Sequence, residues 1–199
     1  MREQRHTVAE INELMLEILR SAAAGPDETA APSATRLVIG LRASWRALDD
    51  PAQLRLARAP CLLLDAGFAA PARWDALGVD GSLLGAVRDA GAPRGYFSCA
   101  TGIALQRRAL TFAWHLARSD RLGARMLLGM SGECADRIAA CALKHLEALA
   151  ELCPPWIAPR WESQPAVWRQ MIEAAVSGSD AALRRVQLRG LQLLAAGLP

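Results

Sequence analysis

Between Ala113 and Glu151 apolar residues recur at helical spacing, and only brief turn signals interrupt them. The stretch reads Ala-Trp-His-Leu-Ala-Arg-Ser-Asp, then Ala-Arg-Met-Leu-Leu-Gly-Met-Ser, then an alanine-rich run closing on Leu-Glu-Ala-Leu-Ala-Glu. It predicts three or four short amphipathic helices in close succession. Alanine and leucine dominate the whole chain while aromatic residues are 5% of it, a balance that favours helix over sheet. With 199 residues, 52% of them hydrophobic and 22% charged, the chain can bury a real core as one domain or two small ones. The expected fold class is all-α, a helical bundle of two packed lobes.

Thr7, with Glu10 three residues later, reads as a capping box that opens a first helix. Ile11, Leu14, Met15, Ile18, Leu19 and Ala22 then share one face. Gly25-Pro26 stops that helix, and the residues up to Ser33 read as linker. A second helix is expected over residues 34–48, with Leu37, Val38, Leu41, Trp45 and Leu48 inward. Asp50-Pro51-Ala52-Gln53 is a fresh start, with Asp50 as cap, proline in the first turn and Gln53 at the third helical position. The apolar run Cys61-Leu62-Leu63-Leu64 fits a buried strand or a buried helical turn; no neighbouring segment offers a strand partner, so the helical reading is preferred. Residues 71–77 and 82–89 read as two more short helices. Gly91-Ala92-Pro93-Arg94-Gly95 is the strongest break in mid-chain. It sets the expected boundary between an N-terminal lobe, residues 1–95, whose role the sequence does not reveal, and a C-terminal lobe, residues 96–199.

From Thr101 to Arg118 the chain is apolar on most sides, which suits a helix at the centre of a bundle or in a subunit interface. Helices are expected over residues 120–128, 132–141 and 143–152, with Gly129-Met130-Ser131 as the turn between the first two. After Pro154-Pro155, Ser163 is expected to cap a helix through Val176. Ser179 and Asp180 open a last one that runs to about Ala196.

No residue set announces a reaction. Glycine-rich phosphate loops, paired carboxylates in an apolar setting and the H-E-x-x-H pattern are absent from the sequence. Cys134, Cys141 and His145 lie at i, i+7 and i+11, and Cys153 or His115 could approach as a fourth zinc ligand. A helix break near Ala142 would scatter that set, and buried free thiols are the preferred reading. Cys141 and His145 stand one turn apart but lack the third, orienting group that a nucleophile pair needs. No catalytic residue, metal site or cofactor is expected. The five cysteines (Cys61, Cys99, Cys134, Cys141, Cys153) are odd in number and never spaced C-x-x-C. With no signal-like N-terminus and no apolar run near roughly 18 residues, they read as reduced, buried or half-buried thiols of a cytoplasmic protein with no membrane partner.

The order and spacing of the helices between about Leu105 and Leu194 resemble the flagellar transcriptional activator subunit FlhD. Ala113, Leu116 and Asp120 match before the first turn, and Gly129 matches at it. Glu133, Ala135, Ile138, Ala139 and Ala140 follow, then Leu143, Leu149, Ala150 and Glu151. Arg160-Trp161-Glu162-Ser163 resembles a basic-aromatic-acidic-serine step of that family, and Gly190 with Leu191, Leu193 and Leu194 resembles the end of its last helix. The resemblance implies an all-helical regulatory subunit that forms a homodimer through its helical core. It further implies action at DNA in transcription control, together with a second, zinc-carrying subunit. The chain departs from the family at one place of consequence: Ser177-Gly178-Ser179-Asp180 stands where the family carries a Ser-Arg step before its last helix. The alternative is a helical protein–protein adaptor of the same fold with no DNA contact.

Charge is divided unevenly along the chain. Residues 1–100 hold 11 basic and 12 acidic residues, and residues 101–199 hold 12 and 8, which gives −1 and +4 and sums to the net +3. In the more basic half, Arg185, Arg189 and Gln192 fall at i, i+4 and i+7 of the last helix with Arg184 beside them. Opposite them Leu183, Val186, Gly190, Leu193 and Leu194 form an apolar face. Arg184, Arg185, Arg189 and Gln192 are thus the candidate DNA contacts, although any solvated helix presents a similar stripe. A second group, Arg107, Arg108, Arg118, Arg121 and Arg125, reads as solvated bundle surface. A helix-turn-helix over residues 124–138 reads as packing, because Glu133 and Asp136 would turn an acidic face to the major groove.

Overall fold

A computed structural model describes residues 2–25, 35–75, 95–152 and 156–196 of the chain. About three quarters of them are helical. The first helix, α1 (Arg2–Ala24), buries Val8, Ile11, Met15, Leu16, Leu19 and Ala23 along one stripe. It begins ahead of Thr7, whose hydroxyl donates to the Glu3 carbonyl (3.2 Å) from inside the helix. Thr7 is therefore not a cap: the opening turn is polar throughout, so apolar periodicity starts later than the helix does. The expected linker before Ala34 falls on residues outside those described. A π-helical turn, Thr35–Ile39, leads into α2 (Arg42–Ala47), and α3 (Asp50–Ala57) follows; its cap is Asp49, which accepts from the Ala52 amide, and not Asp50, which is already helical. Leu37, Val38, Leu41, Trp45 and Leu48 are all buried, as their spacing requires.

The run from Cys61 to Leu64 is not a helical turn. Leu64–Asp65 forms β1 and pairs antiparallel with β2 (Ala158–Pro159), Leu64 opposite Pro159. The strand partner exists, but far along the chain, where no local pattern could reveal it. A short helix, α4 (Pro71–Asp75), comes next; the remainder of the expected 71–77 helix, the 82–89 helix and residues 91–94 of the mid-chain break lie outside the described residues.

The second half supplies α5 (Ala100–Ser119), α6 (Arg121–Leu128), α7 (Gly132–Ala140), α8 (Leu143–Leu152), α9 (Pro165–Val176) and α10 (Asp180–Ala196). Their ends follow from local chemistry. Asp120 caps α6 by accepting from the Gly123 amide (2.8 Å), and Ser131 caps α7 by accepting from the Cys134 amide (3.1 Å). Between them Gly129 takes the left-handed conformation, φ 60° and ψ 38°, that closes a helix C-terminus without a Cβ penalty. Ser163 does not cap α9. Gln164 occupies the cap position with no side-chain bond, and Pro165 begins the helix, its fixed φ already suited to the first turn.

Helix α5 is the axis of the fold, with α1, α6, α7 and α8 packed around it. Helix α9 crosses back to lie on α2 and α3, while α10 lies on α9. One continuous core therefore runs from Val8 to Leu183 and draws on both halves of the chain. At its centre Trp45 and Trp168 meet with ring centroids 5.6 Å apart. Each indole N–H is satisfied, Trp45 by the Leu37 carbonyl (2.9 Å) and Trp168 by the Arg160 carbonyl (2.6 Å). Such a pair contributes about 0.5–1.5 kcal/mol beyond its buried area.

Two buried polar side chains stitch the irregular segment after α3 into this core. Asn12, on α1, donates to the carbonyls of Ala57 and Cys61 (both 3.1 Å) and accepts from the Leu63 amide (2.8 Å). Arg160 donates to the carbonyls of Leu62, Leu64 and Leu128. A segment with few intramolecular ladder bonds needs such donors, since a buried carbonyl without a partner is costly.

Candidate nucleic-acid interface

The α9–α10 pair presents the basic stripe. Gly178, at φ 71°, turns the chain between the two helices, and the Ser179 hydroxyl accepts from the Ala182 amide (3.2 Å) to start α10. Leu183, Gly190 and Leu194 are buried, and Val186 and Leu193 pack half-buried beside them. Gly190 is required by a close approach: a Cβ there would stand 2.9 Å from Cη2 of the Trp161 ring. Seating one face this firmly leaves Arg184, Arg185, Arg189 and Gln192 exposed on the other, all four on one side of α10.

Arg184 and Arg185 have no ion-pair partner among the described residues, and Arg189 donates only to the Gln170 side-chain oxygen of α9 (3.3 Å). Leu188, 61% exposed, sits one turn from Arg184 and Arg185 in the middle of this stripe. Sequence reasoning assigned it to neither face. Its i+4 spacing from Arg184 was the available signal.

Four of the five arginines of the second group are occupied elsewhere, and Arg125 is exposed. Arg107 pairs with Glu151, Arg108 with Glu10 and Arg121 with Asp136. Arg118 lies over the Trp114 ring, 4.7 Å from its centroid, and donates to the Ala139 carbonyl. The helix-turn-helix formed by α6 and α7 is likewise committed to packing. Residues Leu127 to Ser131 are buried. Their backbone bonds to the other half of the chain, the Leu127 carbonyl accepting from the Leu62 amide (2.8 Å) and the Ser131 amide donating to the Phe68 carbonyl (3.0 Å). On α7 the exposed positions include Glu133 and Asp136, while Arg137 is tied to Asp75 and Glu133. Those bonds hold the Asp75 carboxyl below the ordinary aspartate range and raise the Arg137 guanidinium further still.

Cys153 lies outside the described residues, and the rest of the cysteine and histidine set does not converge. Cys134 donates to the Gly67 carbonyl (3.8 Å), α7 ends at Cys141 in extended conformation, and among the described residues no group of three or more histidine, cysteine or acidic side chains could hold a metal. Cys61 and Cys134 are buried and Cys141 is half-buried, but Cys99 is exposed, contrary to its expected burial. Its thiol occupies the cap of α5 and accepts from the Gly102 amide (3.3 Å), a position at the helix end that faces solvent.

Trp161, the aromatic residue that Arg160 flanks, is half-buried against Gly190 and holds φ at 55°. Beside it Glu162 faces the Tyr96 hydroxyl. Burial first, and then that carboxylate, push Tyr96 far above the ordinary tyrosine range. The Arg160-Trp161-Glu162 step is thus a structural junction and not a surface for stacked bases.

A basic cleft was missed entirely. Arg2, Arg5 and His6 from the start of α1, Arg58 and Pro60 from the end of α3, and Gln187 from α10 line a cavity of about 360 Å³. Summing charge over the first hundred residues hid it, because acids elsewhere in that half cancel these arginines. The i, i+3, i+4 spacing of Arg2, Arg5 and His6 was the legible sign. Among the described residues no helix is long and apolar enough to cross a membrane. Comparison of the chain with protein-family models, with curated proteins and with solved structures finds no match in any of the three.

Proposed function

We propose that this chain is an FlhD-like regulatory subunit, a dimeric helical protein acting in transcription control at DNA together with a partner subunit. The observation that carries this reading is the stripe on α10, where Arg184 and Arg185 stand exposed without an acid partner among the described residues and Arg189 and Gln192 extend the line. Unpaired guanidinium groups along one helix face are what neutralisation of successive phosphates requires. The sequence resemblance to FlhD over residues 105–194 points to the same reading. Because the Ser-Arg step is absent, contact falls to the face of α10 itself and not to the turn before it.

An electrophoretic shift assay with promoter and random duplexes across a salt series tests the proposal, using the chain alone and with a candidate partner subunit. Retention at low salt that weakens steeply with added salt is expected. Replacing Arg184, Arg185 and Arg189 with glutamate should abolish it, and each single neutral replacement should reduce the salt slope by about one. No retention at low salt, alone or with the partner, overturns the reading.

A second reading, a helical adaptor without DNA contact, draws on a different surface. Leu122 and Met126 stand one turn apart on α6 and are 67% and 49% exposed. Exposed apolar pairs of this kind mark protein contacts. Light-scattering molar mass of the parent and of a Leu122→Ser, Met126→Ser variant, read beside the DNA shift assay, distinguishes the two: association lost in the variant of a chain that never retains DNA supports the adaptor, and association lost with DNA retention intact assigns that patch to the dimer of the regulator.

A further inference from the structure

We propose that the cleft lined by Arg2, Arg5, His6, Arg58 and Gln187 is an anion site that takes a phosphate group. Three guanidinium groups from two elements converge on it, and none of the three has an ion-pair partner among the described residues. No carboxylate lines it. Glu3, next to Arg2 in sequence, is exposed and does not line the cleft, and Glu10 is taken up by Arg108 on one oxygen and by His6 Nε2 (3.3 Å) on the other. Like charges held together without compensation lower stability, so an anion entering the cleft relieves a cost that the fold otherwise bears.

The cleft is also pre-formed. Arg58 lies between Ala57 and Cys61, the two residues whose carbonyls the fully buried Asn12 clamps onto α1. The Ala59 amide donates to the Leu56 carbonyl (3.0 Å), and Ala59 is itself buried. The backbone at Arg58 is therefore held against the α1 face that carries Arg2, Arg5 and His6, before any ligand arrives. A monocarboxylate would neutralise one of three guanidiniums. A phosphate ester or a diphosphate offers several oxygens and more than one charge, and planar guanidinium forks bind such oxygens in pairs. The amide of Gln187 supplies one neutral partner on the α10 side. This site does not depend on the regulatory reading, since the phosphate could belong to a small phosphorylated molecule or to a nucleic-acid backbone.

Calorimetric titration of the full chain with inorganic pyrophosphate, against sodium chloride at matched ionic strength, tests the proposal. Saturable binding is expected for pyrophosphate, weakened at least about tenfold in an Arg5→Gln, Arg58→Gln variant and unchanged in an Arg184→Gln, Arg185→Gln variant. Both arginines of the first variant are exposed, so its thermal midpoint should match the parent and report an intact fold. Fluorescence anisotropy with a short duplex then assigns the source. Loss of both ligands in the cleft variant points to backbone phosphate; loss of pyrophosphate with duplex binding intact points to a small phosphorylated ligand. Either supports the site. Pyrophosphate that acts no differently from chloride, or binds the cleft variant as it binds the parent, overturns it. A chain that binds pyrophosphate in the cleft but no DNA at low salt would sink only the regulatory reading.

Discussion

Arg160 offers the sharpest test of how this fold holds together. Its side chain is 8% exposed, and its guanidinium donates to three carbonyls: Leu62 (2.9 Å), Leu64 (2.8 Å) and Leu128 (2.9 Å). The only carboxylate near it among the described residues, Asp65, is 3.9 Å away and 41% exposed, so water screens that charge whether or not Arg160 is present. Replacing Arg160 with methionine keeps most of the apolar stem and deletes every donor. Three charge-assisted bonds at roughly 1.5–3 kcal/mol each are lost, a gross cost of roughly 4–9 kcal/mol. Relief from burying an ion returns several kcal/mol of that.

A net loss of about 3 kcal/mol is expected for Arg160→Met, which for a chain of this size lowers the thermal midpoint by roughly 6–12 °C. Arg160→Lys should recover only part of it, because one ammonium cannot reach three divergent carbonyls. Urea unfolding followed by circular dichroism gives the free energies. Tryptophan fluorescence should report the same transition, since Trp168 donates to the Arg160 carbonyl in the core. A loss under about 1 kcal/mol for Arg160→Met would mean that the three carbonyls find other partners, and that the irregular segment is held in the core without the guanidinium.

Other consequences are simpler to check. Tyr96, the single tyrosine, is held protonated by burial and by Glu162. Its raised pKa contributes stability that is complete below the ordinary value of about 10 and is lost as pH rises through the folded value. Absorbance at the tyrosinate wavelength should stay flat through about pH 11 while the fold persists, and Glu162→Gln should bring ionisation to lower pH. Cys99 should be alkylated roughly tenfold or more faster than Cys61 and Cys134, which are buried and whose thiols burial pushes up, as peptide mapping after brief iodoacetamide treatment would show. Gly129→Ala should cost about 1–3 kcal/mol, because φ is 60° there and the new Cβ would stand 2.4 Å from Leu194 Cδ1; adding Leu194→Ala should relieve the clash but not the backbone strain. At the acid end, Asp120 is held below the ordinary range by the Gly123 amide and then by Gln4. Its contribution is complete above about pH 4 and falls away as pH drops through its lower folded value, so Asp120→Asn should flatten the acid limb of the stability profile.

The helices from α5 to α10 were legible to within a residue or two, because most have a stop or start written locally: Asp120, Gly129, Ser131 and Ser179; α9 begins at Pro165, past the Ser163 cap that the sequence suggested. What local reading missed depends on distant partners. Leu64 becomes a strand only because Ala158–Pro159 reaches it, and Arg160 is buried only because carbonyls 96 and 98 positions away need a donor. The start of α1 was missed because Arg2, Glu3, Gln4, Arg5 and His6 carry no apolar rhythm. The same polar turn lines the cleft, so one omission hid both the helix end and the site. Arg184, Arg185, Arg189 and Gln192 were placed on one exposed face from spacing alone, since helical period and an apolar back suffice for that.

The positions from which the FlhD reading was proposed are chiefly those that the core consumes. Ala113, Leu116, Ala135, Ile138, Leu149 and Ala150 are buried, Asp120 caps a helix, and Gly129 closes one. Arg160, Trp161 and Glu162 are spent on the Leu62 carbonyl, on Gly190 and on Tyr96. Residues of this kind specify a scaffold, and a scaffold is compatible with more than one activity. The discriminating positions are therefore the solvent-facing ones that the scaffold does not need: Arg184, Arg185 and Leu188 on α10, Leu122 and Met126 on α6, and Arg5 and Arg58 at the cleft. Substitutions there leave stability nearly untouched, so any change they cause in DNA retention, self-association or anion binding reports function directly, whereas substitutions at the shared positions would report only folding.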